Sequence, residues 1–187
     1  MKADDFCVIP FHEGDDVADF DCGNPDLNEF LQTDEVVNYQ ETWAGHTFLV
    51  RKADDWDLVG YYTVAPDGLE IPDDWIKKSM VAHLGIKRIG ALLLGRLAVS
   101  LPYQGTGVGS LILKHIFTAE MDTGRPARVV RLTCYPDRMN WYRKRGFDFI
   151  SDKEREKASK RADKIRLFFD LQSLPGNPEV RIPHVEN

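Results

Sequence analysis

The chain of 187 residues has little cysteine: Cys7, Cys22 and Cys134, odd in number and far apart. Such a set builds no disulfide framework and no CxxC ligand pair, so a reducing, cytoplasmic setting is expected. The five histidines (12, 46, 83, 115, 184) form no HExxH or HxH arrangement, and no structural or catalytic metal is expected. Apolar runs stop well short of the ~18 residues of a membrane span. The opening "MKADDFCVIP" is acidic, unlike a secretory signal, so no membrane partner is expected. Repeats and low-complexity tracts are missing too. Basic residues are scarce in one half only. Residues 1–75 hold 3 Lys+Arg against 19 Asp+Glu, net −16, whereas residues 76–187 hold 21 against 11, net +10, within an overall charge of −6. Two readings stay open: solvated surface of both signs, or a C-terminal half that faces an anionic ligand.

What remains is the composition of an ordinary globular chain, 43% hydrophobic and 29% charged. Its length suits a single domain over 1–174, followed by an irregular tail at 175–187 that begins "PGNP". "CVIPF" (7–11) reads as a short strand. Residues 22–40 read as one helix, with Asn24 as cap, Pro25 at the first position and Asp26 at the positive end. "HTFLVRK" (46–52) and "LVGYYTVAP" (58–66) form a hairpin across "ADDWD". Residues 67–87 read as a long connection that holds a short helix. "IGALLLGRLAV" (89–99) is a strand apolar enough for burial on both faces. In the next helix Val108, Leu111, Ile112, His115 and Ile116 recur at the spacing of a buried face. A strand at 127–135 follows, then a helix at 136–146 with Asp137 as cap and Gly146 as its left-handed stop. The last strands are 147–150 and 165–171. Between them a polar stretch opens with the capping-box pair Ser151 and Glu154, which predicts a short exposed helix or a loop. The order β-α-β-β-β-α-β-α-β-β predicts an α/β (α+β) fold, a central mixed sheet flanked by helices.

The most informative stretch is "SLPYQGTGVGSLILKHI" (100–116), with three glycines in five positions between a strand and a helix. Gly105, Gly107 and Gly109 let a backbone come close to an anion, and the helix N-terminus favours negative charge. A P-loop needs Gly-Lys-Ser/Thr, and Gly109-Ser110-Leu111 does not supply it. A dinucleotide fingerprint needs GxGxxG and an acid at the end of the next strand; GxGxG and "RVVRLTC" supply neither. A turn without a ligand stays as the bland alternative.

"GRLAVSLPYQGTGVGSLIL" resembles the acetyl-CoA-binding motif of the GNAT acetyltransferases, Q/R-x-x-G-x-G/A, at Gln104-Gly105-Thr106-Gly107-Val108-Gly109. "NWYRKRGF" is similar to the family's tyrosine four residues before Gly-Phe. The resemblance covers roughly residues 7–171 and implies a GNAT fold with acetyl-CoA as cosubstrate. It implies that backbone N–H groups from Gln104 to Ser110 hold the pyrophosphate, Thr106, Val108 and Gly109 among them. The backbone of Leu97, Ala98 and Val99 would pair with the pantetheine arm, and Asn140 would help orient it. Tyr142 takes the family's general-acid position. A tyrosine of pKa about 10 stays protonated and can donate to a departing thiolate. The plain readings beside these are a half-buried packing aromatic for Tyr142 and a solvated helix residue for Asn140.

The long strand lacks the glutamate that many GNAT enzymes place there. An α-amine, at about 7.7–8.0, then suits the acceptor better than a lysine side chain at about 10.4. Arg96, the strand's only charge, faces an anionic substrate or pairs with an acid. "FDCGNPDLNEFL", "GYYTVAP" and "LLGRLAV" resemble the branch that includes toxins acetylating aminoacyl-tRNA. That implies aminoacyl-tRNA as a candidate amine acceptor; the acidic half is a candidate surface for a basic antitoxin segment, and a second copy of the chain, as a homodimer, is a further candidate partner. Arg143, Lys144 and Arg145, within a basic stretch from Arg125 to Arg166, are candidate RNA contacts. An acetyl-CoA-binding module without strong catalysis is the non-enzyme alternative.

Overall fold

The structure, a computed structural model, describes residues 5–70, 85–122, 127–160 and 164–174. Most of the expected 67–87 connection, the tail from 175 and Arg125 lie outside the described residues. The elements run β1 (Phe6–Pro10), α1 (Pro25–Gln32), α2 (Asp34–Glu41), β2 (His46–Lys52), β3 (Leu58–Glu70) and β4 (Arg88–Val99). Then come α3 (Val108–Asp122), β5 (Val129–Cys134), α4 (Pro136–Arg143), β6 (Asp148–Phe149), α5 (Asp152–Ser159) and β7 (Ile165–Asp170). The strand order is β1-β2-β3-β4-β5-β7-β6, a mixed seven-stranded sheet with flanking helices, as the sequence predicts. Among the described residues, no helix is long and apolar enough to cross a membrane.

The chain divides into two compact units, the first holding Met1–Asp67 and Leu92–His115. Here the helix expected at 22–40 is two helices. Thr33 is extended (φ −119, ψ 175), and its hydroxyl accepts from the Glu35 N–H at 3.4 Å. Thr-Asp-Glu is itself a start signal, so the chain caps a second helix instead of prolonging the first. Asn24 caps α1 as expected, accepting from the Leu27 N–H. The break lets Phe30, Leu31 and Val36 enter one core with Phe11, Phe20, Leu49, Tyr61 and Ala98. The Tyr61 hydroxyl, fully buried, donates to the Leu27 carbonyl at 2.7 Å, so its burial leaves no polar group unsatisfied. At Gly60 a Cβ would lie 2.5 Å from the Ala98 carbonyl oxygen, so only glycine lets β3 lie against the end of β4 here. On α3 the buried stripe is Val108, Ile112, Leu113, Ile116 and Phe117. His115 was expected on that face and is exposed instead; Leu113 and Phe117 displace it because the larger apolar surface turns inward.

The second unit holds Gly68–Ala91 and Ile116–Asn187. β5 and β7 pair antiparallel from Val129↔Asp170 to Cys134↔Ile165, and Arg128 grips Asp170 with two hydrogen bonds of 2.7 and 2.9 Å. Phe117 stacks on Phe169 at 4.3 Å, with Phe147 beside both. Gly146 stops α4 at φ +90, as predicted, and its missing Cβ leaves room for the Phe169 ring, which would be only 2.8 Å away. Asp137 is not the cap of α4. Pro136 takes the first helical position, which makes Tyr135 the cap without a side-chain bond, and Asp137 pairs with Arg138. The Ser151 hydroxyl does cap α5, accepting from the Glu154 N–H. The Glu154 carboxylate does not return to Ser151 as a capping box would, nor is it exposed. It is 1% exposed and accepts from Lys157 Nζ at 2.8 Å and from the Arg166 N, Nε and Nη2 at 3.2, 3.0 and 2.7 Å. Burial alone would raise its pKa; the bonds from Lys157 and Arg166 overcome that and hold it down at about 2.

Candidate functional site

In the first unit the strand-to-helix turn is held from below and open above. After Val99 the Ser100 N–H donates to the Val59 carbonyl at 2.8 Å, and a short 3-10 turn spans Leu101–Tyr103. The Leu101 N–H donates to the Asp21 carbonyl at 2.8 Å. The Gln104 carboxamide latches the turn twice, donating to the Cys22 and Val99 carbonyls, each at 2.9 Å. The Thr106 hydroxyl donates back to the Tyr103 carbonyl at 2.6 Å. Gly105 (φ +75) and Gly107 (φ +98) sit in the left-handed region, yet a Cβ at either would meet no atom within 4 Å. The backbone angle, not internal crowding, therefore calls for glycine, and the space over the turn is empty.

The N–H inventory defines what that space can hold. Tyr103 and Gln104 donate to the Ser100 and Leu101 carbonyls, and Ser110 and Leu111 both donate to the Gly107 carbonyl. Among the described residues, the N–H groups of Gly105, Thr106, Gly107, Val108 and Gly109 make no hydrogen bond of ordinary length and angle within the protein, only the weaker contacts of a turn. Five successive free donors at the positive end of a fifteen-residue helix suit a di-anion such as a pyrophosphate. Of the expected stretch 104–110, the N–H groups of Gln104 and Ser110 close the turn itself, and the Gln104 side chain latches it. On β4, Ala98 is buried and Leu97 and Val99 are half-buried. The Val99 carbonyl is engaged by Gln104.

In the second unit Tyr142 lies half-buried on α4, its ring edge-on to Trp141 (4.8 Å, 88°) and Phe147 (5.5 Å, 74°). Burial, then the neighbouring Cys134 thiol, pushes its pKa above the usual tyrosine value. The hydroxyl keeps its proton at neutral pH and is a donor. Cys134 is likewise pushed up to about 11, by burial first and Asp137 second, so it is a thiol and not a nucleophilic thiolate. The Asn140 side chain faces solvent. Of the three expected anion contacts, two are engaged within the protein. Arg143 pairs with Asp148 and lies 4.7 Å over the Phe149 ring. Arg145 donates to the Trp141 carbonyl at 2.8 Å and lies 3.7 Å over its ring. Lys144 is exposed and has no ionic partner among the described residues. Arg128, Lys157 and Arg166, counted in the basic stretch, are tied to Asp170 and Glu154.

Arg96, left between a substrate and a structural role by the sequence, has both a partner and free donors. Its guanidinium lies 3.5 Å over the Phe30 ring and 5.5 Å from that of Tyr39, and Nη2 meets Glu35 Oε1 at 3.2 Å. Glu35 escaped the sequence reading; its place follows from the break at Thr33, which no local pattern around Arg96 signals.

A mixed seven-stranded sheet of this order, entering a glycine turn and helix after a long central strand, is the GNAT acetyltransferase fold. No family model matches the chain. Three solved structures of similar shape are informative. AtaT complexed with acetyl-methionyl-tRNAfMet aligns with a TM-score of 0.68 over 90% of this chain and 96% of that one, at 22% identity. A tyrosine-to-phenylalanine variant of the AtaT toxin, bound to the C-terminus of the antitoxin AtaR and to acetyl-CoA, aligns at 0.68 over 90% and 95%, at 20% identity. A tyrosine-to-phenylalanine variant of KacT aligns at 0.70 over 90% and 96%, at 18% identity. At these identities the likeness establishes the fold.

Proposed function

We propose that the protein is an acetyl-CoA-dependent N-acetyltransferase acting on a primary amine, with the α-amine of aminoacyl-tRNA as the leading acceptor. The observation that carries this reading is the run of free N–H groups from Gly105 to Gly109 beneath open space. They hold the pyrophosphate, while the backbone of Leu97, Ala98 and Val99 lines the pantetheine arm and Asn140 orients it. Acetyl-CoA supplies an acyl thioester, from which the amine takes the acetyl group directly, a C–N bond forming as the C–S bond breaks. Tyr142 gives its hydroxyl proton to the departing sulfur. The proton that the amine nitrogen loses goes to water, and the phenolate regains one from solvent, so charge and protons balance. The strand's lack of a carboxylate agrees with an acceptor amine of low pKa.

The finer reading, a toxin of a toxin–antitoxin pair, draws on the AtaT and KacT structures. The acidic first 75 residues are the side of the chain that a basic antitoxin segment would complement. The test is incubation with labelled acetyl-CoA and a mixture of charged tRNA and small amines, followed by mass spectrometry. Acetylated aminoacyl-tRNA supports the reading. Acetylation of small amines alone keeps the transferase and removes the tRNA, and acetyl-CoA binding without any acetylated product leaves a binding module.

A further inference from the structure

We propose that Arg51 is a positioning residue for acetyl-CoA: its buried guanidinium fixes the two loops that hold the glycine turn. The proposal rests on the acetyltransferase reading and deepens it. Arg51 is 7% exposed and, among the described residues, has no carboxylate partner. Its Nη1 donates to the Trp56 carbonyl at 3.1 Å and its Nη2 to the Asp16 carbonyl at 2.9 Å, while Nε is buried without an acceptor. A buried cation met by two carbonyls and no counter-charge costs stability, and an apolar side chain of its length would fill the same volume at less cost. What the cation supplies is a bridge: one planar fork joins the loop after β1 to the turn between β2 and β3. Trp56 stands at φ +64, a costly angle for a bulky residue, and is exposed. The bond to its carbonyl supports that angle where burial of the ring does not.

Both loops end on the glycine turn. From the first, the Asp21 and Cys22 carbonyls accept from the Leu101 N–H and the Gln104 carboxamide at 2.8 and 2.9 Å. From the second, next to Trp56, the Asp57 carboxylate accepts from the Tyr103 hydroxyl at 3.0 Å. The strand pairing adds a third tether. Opposite Arg51 the β2–β3 register slips, Val50↔Gly60 being followed by Arg51↔Leu58, which leaves Val59 as the extra residue of a bulge. The Val59 carbonyl accepts from the Ser100 N–H at 2.8 Å. Ser100, Leu101, Tyr103 and Gln104 are thus all tied to segments that converge on Arg51. Its fork sets the spacing between those tethers, and with it the place of the N–H groups that follow at 105–109. A lysine would keep the charge but not the fork, and could not hold both carbonyls in one plane.

The experiment titrates acetyl-CoA by calorimetry into the natural protein, Arg51→Lys, Arg51→Met, Tyr103→Phe and the double variant Arg51→Lys with Tyr103→Phe. Val36→Ala, a truncation in the core of the same unit and outside the tethers, is the control for lowered stability. Each Arg51 variant should raise Kd roughly five- to tenfold, the scale of ordering one more group on binding. Tyr103→Phe should raise it too, and the double variant should lose less than the product of the two single losses, because both act along one path. Val36→Ala should lower Tm and leave Kd unchanged. Natural affinity in Arg51→Lys overturns the proposal, and so does a double variant whose losses multiply in full. An affinity loss in Val36→Ala that matches its fall in Tm overturns it as well, since stability alone would then account for the Arg51 variants. Where Arg51→Lys does not fold, Arg51→Met gives the same readings; if neither folds, the residue serves the fold and the proposal is overturned. A natural protein that binds no acetyl-CoA overturns the transferase reading and this proposal together; natural binding that the Arg51 variants leave unaltered overturns this proposal alone.

Discussion

Replacing Gly107 by alanine separates the two things that glycine does in the turn. Its φ of +98 lies where a side chain is strained, but no atom stands within 4 Å of the added Cβ. The folding cost is therefore the backbone cost alone, about 1–2 kcal/mol, with no clash to add. For a chain of this size that lowers Tm by roughly 2–8 °C and leaves the protein folded at 25 °C. Binding should suffer more. The new methyl sits in the space over the free N–H groups of 105–109, and keeping a pyrophosphate from even one charge-assisted bond costs about 1.5–3 kcal/mol, or roughly 10- to 150-fold in Kd. Gly14→Ala is the matched control. Its φ is +93, it too has nothing within 4 Å, and it lies in the loop after β1, so it should lose similar stability and no affinity. Calorimetric titration of acetyl-CoA into the three folded proteins reads the result. Natural affinity in the Gly107 variant would remove the pyrophosphate from the turn. An equal affinity loss in the Gly14 variant would show that stability, not the cradle, governs binding.

Tyr142→Phe should lower turnover by about 10²–10⁴-fold with little change in acetyl-CoA Kd, measured by single-turnover kinetics; an unchanged rate takes the hydroxyl out of the chemistry. Lys144→Glu with Lys153→Glu, the latter exposed on α5, should raise KM for aminoacyl-tRNA more than charge reversal at Arg145, because Arg145 is already engaged by Trp141; activity on tRNA should also fall steeply between about 50 and 200 mM salt, and a flat salt profile speaks for a small amine. Glu154→Gln should destabilise by about 3 kcal/mol, the low end for a broken buried pair because Lys157 and Arg166 are half-exposed and regain water. Since the folded pKa of Glu154 lies at about 2, below the unfolded value of about 4.3, its stabilisation is complete above that unfolded value and is lost as pH falls toward 2; urea melts from pH 6 to 2.5 should converge for the natural protein and the variant, and parallel curves refute the assignment. Gly146→Ala meets both a φ of +90 and a Phe169 ring atom at 2.8 Å, so it should cost more than either strain-only substitution at Gly14 or Gly107, as read by Tm.

Much of this architecture was legible because its signals are local. Asn24-Pro25-Asp26 announces a helix start wherever it stands, and Gly146 after a polar helix announces a left-handed stop; both predictions hold. The glycine turn was legible for the same reason, since its chemistry is backbone chemistry: Gly105 and Gly107 take the left-handed angles that glycine allows, whereas Gly109 lies inside α3. What the sequence did not disclose depends on partners far along the chain. Glu154 reads as a capping-box residue until Arg166, twelve positions on, turns it inward. Gln104 reads as a motif letter until Cys22 and Val99 show that its side chain is the latch of the turn. Arg143, Lys144 and Arg145 read as three equal cations until Asp148 and Trp141 engage two of them. Periodicity misplaced His115 because a stripe counted from Val108 fits two neighbouring faces, and only the bulk of Leu113 and Phe117 decides between them. Thr33 was hidden by the opposite effect: two good helices in tandem have nearly the same composition as one. The break it makes brings Glu35 to Arg96, a pairing across 61 positions that no local pattern in either segment signals.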